Sequence, residues 1–444
     1  MTATPPVTLL LATLLLLFTC GHAQVFMKQS RLATTVVNDT LYVYGGAIYS
    51  QGSNISAQNL LLINITRPFP LRIPALNAGS GIYRKGIPYA SVGAVLFRAG
   101  NKVAAYGGSE LGQCSNETFY PEIKADTNSS YSLYTWDNSA VPYKWVQSPK
   151  PTPPARAYAG AIVDKAGKVY IYGMQQTGSS SPLVYEPQTE SWSEMATSGM
   201  APSCGFPCAV HYLRSKNAML VIDPFMEIYT LDLKTGVWTQ LTRETGPTDL
   251  LNYYGSVITQ DERVLVYGGL HQGVYRYNQD LLMFDTKTLN WSTVQTQGVP
   301  PSPRVFPGVA MVGSKLFILG GETQKCADAD SNIYLLDTKN FTWLNAYEPD
   351  EDDFSYFPSY PSSPDIGMIV GITLGVLLGL AVVVGSVVLY LRKSKRRNHL
   401  PPSVDNKAPI DASEDASYKP DAPPSELIDP RIKLLKPDEI DGQT

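Results

Sequence analysis

Short apolar runs separated by polar turns recur along most of the chain. In each repeat, a segment of small residues is followed by a polar turn, a second apolar segment and a glycine pair. The first repeat, LATTVVNDTLYVYGG, ends at Gly45 and Gly46, and three others end at Gly107–Gly108, Gly268–Gly269 and Gly320–Gly321. Such short alternating runs predict β-strands, and the glycines predict turns where the strands end.

Two further copies depart from the glycine pair, with Gly173–Met174 in one and Asp223–Pro224 in the other. The six repeats end at positions 46, 108, 174, 224, 269 and 321, which are 45 to 66 residues apart. In four repeats, an apolar residue and an acid then precede a tryptophan at a constant spacing. These copies are Tyr185-Glu186 to Trp192, Leu231-Asp232 to Trp238, Phe284-Asp285 to Trp291 and Leu336-Asp337 to Trp343. A looser version ends at Trp145, and the first repeat has no tryptophan.

This repeat closely resembles the kelch repeat, and the resemblance covers nearly all of the region from Arg31 to Trp343. The resemblance implies an all-β fold, a kelch-type β-propeller in which each repeat forms one four-stranded blade. A single blade cannot bury both faces of its sheet, so neighbouring blades stack around a central axis, with the tryptophans between them. We expect six blades, with seven as the alternative because the first two repeats are long. Residues 24–29 are either a lead-in or a strand shared with the last blade.

The start of the chain has the pattern of a secretory signal peptide. Residues 1–23 contain an apolar core from Val7 to Cys20, followed by the small residues Gly21 and Ala23. This pattern predicts cleavage before Gln24.

A second apolar segment, from Ile366 to Leu391, contains no charged residue and is long enough to cross a bilayer as a helix. Basic residues follow it and acidic residues precede it, which places the N-terminal part outside. We therefore expect a single-pass type I protein of the plasma membrane or a secretory-pathway membrane. Its predicted parts are the propeller at 24–347, an acidic and aromatic stalk at 348–365, the transmembrane helix at 366–391 and a disordered cytoplasmic tail at 392–444.

Glycosylation sequons and cysteines agree with this orientation. All seven sequons precede the predicted helix, at Asn38, Asn54, Asn64, Asn116, Asn128, Asn290 and Asn340. Beyond the signal, the four cysteines are also on the external side, where disulfides form. The pairing that we predict is Cys204 with Cys208 and Cys114 with Cys326.

The predicted helix and tail offer further contacts. Glycines recur every fourth residue along one helix face, at Gly367, Gly371, Gly375 and Gly379. This spacing is typical of helix homodimers, although glycine is also common in unpaired membrane helices. The tail is rich in Pro, Asp, Lys and Ser, and it either docks a cytoplasmic motif-binding partner or is inert.

The sequence offers little for catalysis. Kelch propellers include galactose-oxidase-like copper enzymes, but the mature external region has only His211 and His271 as imidazole ligands. Cys204, Cys208 and His211 lack a fourth ligand for zinc, and the acidic segment at 328–332 lacks the glycine and closing acid of a calcium loop. We expect no catalysis, no metal and no cofactor, and the net charge of −4 argues against nucleic acid as a partner.

We therefore predict a cell-surface protein, acting in adhesion or sensing, that binds an extracellular protein or carbohydrate. The chain resembles the membrane-anchored kelch proteins of filamentous fungi. The alternatives are an anchored copper oxidase and a structural component of a wall or matrix. Ligand contacts are expected on the long loops that follow the glycine pairs of blades five and six. The candidates are His271, Tyr275, Arg276, Tyr277, Glu322 and Lys325.

Overall fold

The computed structural model describes a set of segments that includes most of the repeat region. They are residues 29–50, 53–56, 59–71, 81–83, 92–108, 132–137, 144–154, 156, 158–173, 181–204, 207–242, 246, 250–271, 273–324, 328–350 and 382–392. The chain divides into two compact units, Met1–Ser362 and Ser363–Thr444.

The described part of the first unit consists of β-strands joined by turns. The strands of its first half are β1 (Gln29–Ser30), β2 (Ala33–Val37), β3 (Thr40–Tyr44), β4 (Ala47–Ser50), β5 (Ser53–Ser56), β6 (Leu60–Asn64), β7 (Phe69–Pro70), β8 (Gly81–Tyr83), β9 (Val95–Ala99), β10 (Lys102–Tyr106), β11 (Leu133–Asp137), β12 (Lys144–Gln147), β13 (Gly160–Val163), β14 (Val169–Tyr172), β15 (Leu183–Glu186) and β16 (Ser191–Glu194). Those of its second half are β17 (Ala209–Leu213), β18 (Ala218–Ile222), β19 (Ile228–Asp232), β20 (Trp238–Leu241), β21 (Leu251–Asn252), β22 (Gly255–Ile258), β23 (Arg263–Tyr267), β24 (Leu270–His271), β25 (Arg276–Tyr277), β26 (Leu281–Asp285), β27 (Asn290–Val294), β28 (Gly308–Val312), β29 (Lys315–Leu319), β30 (Glu322–Gln324), β31 (Asp328–Ala329), β32 (Ile333–Asp337), β33 (Thr342–Leu344) and β34 (Ala346–Tyr347).

Six antiparallel four-stranded sheets form the body of the described residues, and we number them blades 1 to 6. They are β2-β3-β6-β8, β9-β10-β11-β12, β13-β14-β15-β16, β17-β18-β19-β20, β22-β23-β26-β27 and β28-β29-β32-β33. The first strands contact one another in the cycle β2, β9, β13, β17, β22, β28 and back to β2. The predicted all-β architecture is confirmed, and this cycle of neighbours fits a propeller.

The glycine pairs bring each blade close to the connection that enters the next one. A Cβ on Gly107 would lie 2.2 Å from the carbonyl oxygen of Arg156, and one on Gly268 would lie 2.5 Å from that of Arg304. Both glycines also have positive φ, at 70° and 73°. Only glycine combines this conformation with so close an approach.

Aromatic pairs fill the space between successive blades. At four junctions, the tryptophan of an outer strand packs on the tyrosine that ends the second strand of the preceding blade. The ring-centroid distances are 5.5 Å for Trp145–Tyr44, 4.8 Å for Trp192–Tyr106, 5.1 Å for Trp238–Tyr172 and 5.8 Å for Trp343–Tyr267. The predicted role of the tryptophans is confirmed, and each pair buries apolar surface on two blades at once.

The junction between blades 6 and 1 is closed by residues that follow the last repeat. Strand β34 pairs with β7, placing Ala346 opposite Pro70 and Tyr347 opposite Phe69. The fully buried Tyr347 ring lies 5.0 Å from Phe69 and 5.4 Å from Phe317. We call residues 346–350 the strap. Strand β1 pairs with β4 beside blade 1, and blade 6 has its own fourth strand, so Gln29–Ser30 is a lead-in and not a strand of the last blade.

The two ends of the ring carry different connections. On one side, which we call the mouth face, the glycine pairs meet the connections between blades, as where Gly108 donates a 3.1 Å hydrogen bond to the carbonyl of Arg156. The turn between the first two strands and the turn before the fourth strand meet on the opposite side. There Ile65 donates to Asp39 at 3.0 Å and Thr338 donates to Ser314 at 2.9 Å.

The strap ends on this opposite side, which we call the exit face. The carboxylate of Asp350 accepts hydrogen bonds from Lys315 at 2.7 Å and Ser314 at 3.0 Å. These contacts, mainly that with Lys315, lower the pKa of Asp350 to about 2. The propeller chain therefore leaves blade 6 on the face away from the mouth.

In the second unit, residues 382–392 form a helix. Within the segments that the structure describes, no helix combines the length and apolarity needed to span a bilayer. Several predictions lie outside these segments, namely the signal at 1–23, residues 351–365 of the stalk, residues 366–381 with the four glycines of the dimer face, and the tail beyond 392. The same holds for Cys114, Cys326, Asn116, Asn128 and Lys325.

Candidate functional site

A ring of residues with left-handed backbone surrounds the axis on the mouth face. Each lies two residues before the first strand of a blade, and we call the five the mouth ring. They are Arg31 (φ 60°), Gly93 (65°), Tyr158 (52°), Tyr253 (61°) and Phe306 (52°). In blade 4 the equivalent residue is Pro207, whose ring fixes φ at a negative value. Left-handed backbone is unfavourable for the four residues that carry a side chain, so the surrounding structure must stabilise it.

Hydrogen bonds between neighbouring blades supply this stabilisation. The N–H of Arg31 donates to Phe306 at 2.9 Å, that of Phe306 donates to Tyr253 at 2.7 Å, and that of Tyr158 donates to Gly93 at 2.8 Å. In each case the acceptor is the carbonyl of the ring residue in the preceding blade. The left-handed turns therefore link the blades directly around the axis.

The side chain of Arg31 joins three blades. Its Nη2 lies 3.3 Å from Oε1 of Glu322, its Nη1 donates to the Tyr158 hydroxyl at 3.2 Å, and its guanidinium lies 4.2 Å from the Phe306 ring centre. Arg31 and Glu322 are both buried. Burial alone would lower the pKa of Arg31, but Tyr158 and Glu322 together raise it. The pair is charged, and it places no net charge at the mouth.

The first strands enclose a cavity of about 500 Å³ below the mouth ring. Its wall is mostly small and apolar, with one histidine, His211 on β17. Nε2 of His211 lies 3.0 Å from Oγ of Ser256 on β22, and burial lowers the His211 pKa to about 4. His211 is therefore a neutral link between blades 4 and 5 at physiological pH.

The candidates predicted in blade 5 lie together on one hairpin of the mouth face. Strand β24 pairs with β21 on one side and with β25 on the other. Tyr275, with φ 49°, lies at the tip beside Val274, and these side chains are 71% and 65% exposed. Arg276 is exposed and Tyr277 is half-buried. At the base, Nε2 of His271 lies 3.4 Å from Oδ1 of Asn278.

Glu322 lies apart from this hairpin. Its carboxylate is buried against Arg31, where it also accepts a 3.4 Å hydrogen bond from the Ser30 hydroxyl. Glu322 therefore stabilises the packing of the mouth ring and is not a solvent-exposed loop residue.

Sequence reasoning missed the exposed residue that follows the altered repeat end of blade 4. Asp223 Oδ1 accepts hydrogen bonds from the N–H groups of Phe225 at 2.8 Å and Glu227 at 2.9 Å, and Met226 has φ 61°. This tight turn leaves Phe225 56% exposed on the mouth face. Leu250, immediately before β21, is exposed as well. The replacement of the glycine pair by Asp223–Pro224 was the sequence feature that could have indicated a different turn at this position.

Four exposed apolar residues thus lie on the mouth face of blades 4 and 5, and we call them the blade 4–5 set. They are Phe225, Leu250, Val274 and Tyr275.

The mouth ring was also missed, although three of its residues share a visible signal. Each is an aromatic residue two positions before a glycine, as in YAG at 158–160, YYG at 253–255 and FPG at 306–308. Those glycines allow the first strand of the following blade to approach closely, since a Cβ on Gly255 would lie 2.4 Å from Val309.

Those of the other candidate metal and disulfide residues that the structure describes have packing roles. A disulfide joins Cys204 and Cys208, whose Cα atoms are 5.8 Å apart. Asp330, from the acidic segment, pairs with the buried Arg304 at 2.9 Å. Among the residues that the structure describes, no three His, Cys, Asp or Glu side chains are grouped to hold a metal. His211 and His271 lie on separate strands, β17 and β24.

Comparisons with known proteins match parts of the chain. Residues 222–352 match the family described as the KLHDC2/KLHL20/DRC7 Kelch-repeats domain. Acyl-CoA-binding domain-containing protein 4 of Arabidopsis thaliana is 29% identical over 169 residues, which are 34% of this chain and 24% of that protein. Rab9 effector protein with kelch motifs of Bos taurus is 29% identical over 175 residues, 36% of this chain and 45% of that protein. The chain thus spans less than half the length of either relative. A solved structure titled "Structure of YjhT" has a TM-score of 0.48 and 14% identity, covering 72% of this chain and 98% of that one.

Proposed function

We propose, from the kelch-repeat family that these matches support and the protein-binding role that kelch repeats suggest, that this propeller binds a protein ligand through its mouth face. The contact surface is the blade 4–5 set together with Arg276. The observation that carries the proposal is the exposure of Phe225 and Tyr275 on neighbouring blades of the same face.

The turns that present these aromatics favour binding. Phe225 is held by the Asp223 turn, and Tyr275 lies at the tip of a paired hairpin. Side chains on such ordered turns lose little conformational entropy when a ligand binds. Tyrosine and arginine are also among the residues that contribute most to protein interfaces.

The proposal includes the placement of the propeller outside the cell. Its support is the signal pattern at 1–23, the apolar segment at 366–391 with its basic flank, and the sequons on one side of that segment. Our proposal is that a propeller held at the surface in this way serves adhesion or sensing. We also infer six blades, and the contacts that link the first strands of the six described sheets in one cycle support this number.

The proposal can be tested on intact cells that express the full-length chain. Surface proteins are cross-linked to it and quantified by mass spectrometry for the wild type and for Phe225→Ser with Tyr275→Ser. We expect captured ligands to fall at least about 10-fold, because each anchor contributes on the order of 1–2 kcal/mol.

The matched control is Met200→Ser with Val299→Ser, which removes apolar residues that are 68% and 85% exposed in connections beside the outer strands. Loss of capture in this control, with capture intact in the first variant, would show that the blade 4–5 set is not the binding surface. Capture of glycans alone on a matched array would show that the ligand is a carbohydrate. Protection of the propeller from protease on intact cells would contradict the external placement.

A further inference from the structure

Four of the predicted glycosylation sites lie on the exit face. Asn38 is in the turn between β2 and β3, Asn64 ends β6, Asn290 begins β27, and Asn340 is in the turn between β32 and β33. In every blade these positions are at the end away from the mouth ring. The sites belong to blades 5, 6 and 1, which are consecutive around the ring.

The three sites in blades 6 and 1 lie beside residues that contact one another or the strap. Ile65, next to Asn64, donates to the carbonyl of Asp39, next to Asn38, at 3.0 Å. Lys339, next to Asn340, contacts the strap carboxylate of Asp350 at 3.2 Å. Modification at Asn38, Asn64 and Asn340 would therefore flank the junction of blades 6 and 1.

At two sites the side-chain oxygen of the asparagine accepts the hydrogen bond that forms the turn. Oδ1 of Asn340 accepts the N–H of Thr342 at 3.1 Å, and Oδ1 of Asn64 accepts the N–H of Thr66 at 2.9 Å. Each threonine is the hydroxyl residue of its own sequon. A sugar on Nδ2 leaves the Oδ1 acceptor in place, so the turn and the modification are compatible.

We infer that N-linked glycans on Asn38, Asn64, Asn290 and Asn340 cover the exit face of blades 5, 6 and 1. In each modification Nδ2 bonds to the anomeric carbon of a lipid-linked oligosaccharide, loses one proton, and displaces the lipid diphosphate. Bulky glycans there exclude macromolecules from this face and restrict protein ligands to the mouth face. The inference rests on the external placement proposed above.

The turns before the fourth strands of blades 4 and 5 provide a matched test. Lys234 and Lys287 are exposed and equivalent, because their N–H groups both bind the Oδ1 of the acid two residues earlier, Asp232 or Asp285, at 2.8 Å. Only the turn in blade 5 is followed by a sequon, at Asn290. Lys234→Cys and Lys287→Cys are introduced separately into the full-length chain and reacted on intact cells with a maleimide polymer of about 5 kDa.

We expect glycopeptide mapping to find sugar on all four asparagines. The cysteine at 287 should react about 10-fold more slowly than the one at 234, and enzymatic removal of glycans should equalise the two rates. Equal rates before removal, or bare asparagines at these sites with sugar at Asn54, Asn116 or Asn128, would overturn the inference while leaving the external placement intact. Absence of sugar at every sequon, with no reaction of either cysteine until cells are permeabilised, would overturn the placement and the inference with it.

A glycan added to the mouth face tests the other half of the inference. Val274→Asn with Arg276→Thr creates a sequon around Tyr275 without removing it, and Val274→Asn with Arg276→Ala is the control that carries no sequon. We expect cross-linked ligand to fall at least 10-fold further in the first variant than in the control and to recover when the glycan is removed. Unchanged capture by the glycosylated variant would contradict restriction of ligands to the mouth face.

Discussion

The hydroxyl of Tyr347 donates a 2.9 Å hydrogen bond to the carbonyl oxygen of Ile65, 282 residues earlier in the chain. The first repeat has no tryptophan to fill the junction of blades 6 and 1, and the Tyr347 ring occupies that junction with Phe69 and Phe317. We expect Tyr347→Ala to destabilise the propeller by about 3–5 kcal/mol through the cavity it leaves. Tyr347→Phe should cost about 1–2 kcal/mol, because only the hydrogen bond is lost.

Thermal unfolding of the purified full-length chain measures both effects. Tyr275→Ala, at an exposed tyrosine, is the control and should leave the midpoint unchanged. An unaltered midpoint for Tyr347→Ala would show that the strap does not close the ring.

The glycine pairs lead to a second prediction. It compares two glycines that have a similar φ but differ in the space available for a Cβ. Gly107 has φ 70° and Gly100 has φ 64°, but only Gly107 has a carbonyl oxygen 2.2 Å from the position of a Cβ, whereas nothing lies within 4 Å at Gly100. We expect Gly100→Ala to cost about 1 kcal/mol from backbone strain. Gly107→Ala should cost several times more and shift blade 3 away from blade 2. Similar midpoints for the two variants would show that φ, and not the approach of the next blade, sets the need for glycine.

The Arg31–Glu322 pair predicts a large difference between buried and exposed ion pairs. Glu322→Gln leaves a buried guanidinium without its carboxylate and should cost about 3–5 kcal/mol. The control is Glu186→Gln, which breaks the exposed pair with Lys168 at 2.8 Å and should cost about 0–1 kcal/mol. Replacing both partners, as Arg31→Met with Glu322→Gln, should restore most of the loss. Failure of the double variant to recover would mean that Arg31 stabilises the mouth ring by contacts other than this pair.

His211 predicts how stability depends on pH. Burial lowers its pKa from about 6.5 to about 4, so the unfolded chain binds the proton more readily than the folded one. The stability from this group is complete above pH 6.5 and is lost as the pH falls towards 4, by about 3 kcal/mol in total. In the His211→Gln variant, the unfolding midpoint should depend less on pH over this range than it does in the wild type. Equal slopes for the two proteins would show that His211 takes up its proton without unfolding.

Much of the fold followed from local pattern. The repeat ends, the tryptophans between blades and the grouping of His271, Tyr275, Arg276 and Tyr277 all depend on residues close together in sequence. The ring closure did not follow from pattern, because Tyr347 lies beyond the last repeat and contacts the first.

The candidate site was harder to predict for the same reason. Arg31 and Glu322 are 291 residues apart, and nothing local marks either as buried. The left-handed backbone of the mouth ring arises from hydrogen bonds between blades, which no single repeat encodes. Phe225 was missed because the departure from the glycine pair at Asp223–Pro224 does not by itself indicate that the residues there form a turn and expose an aromatic side chain.

The strap determines how the propeller would bear tension. A pull on the chain beyond Asp350 is resisted first by the ionic contact with Lys315 in blade 6 and then by the Tyr347 ring between blades 6 and 1. Strand β33, the outer edge of blade 6, precedes both contacts in the chain. It therefore separates from its sheet only after these contacts have broken. Under the surface placement and mouth-face binding proposed above, force that enters at the exit face is thus distributed over blades 6 and 1. The strap therefore holds together the junction at which the ring could open.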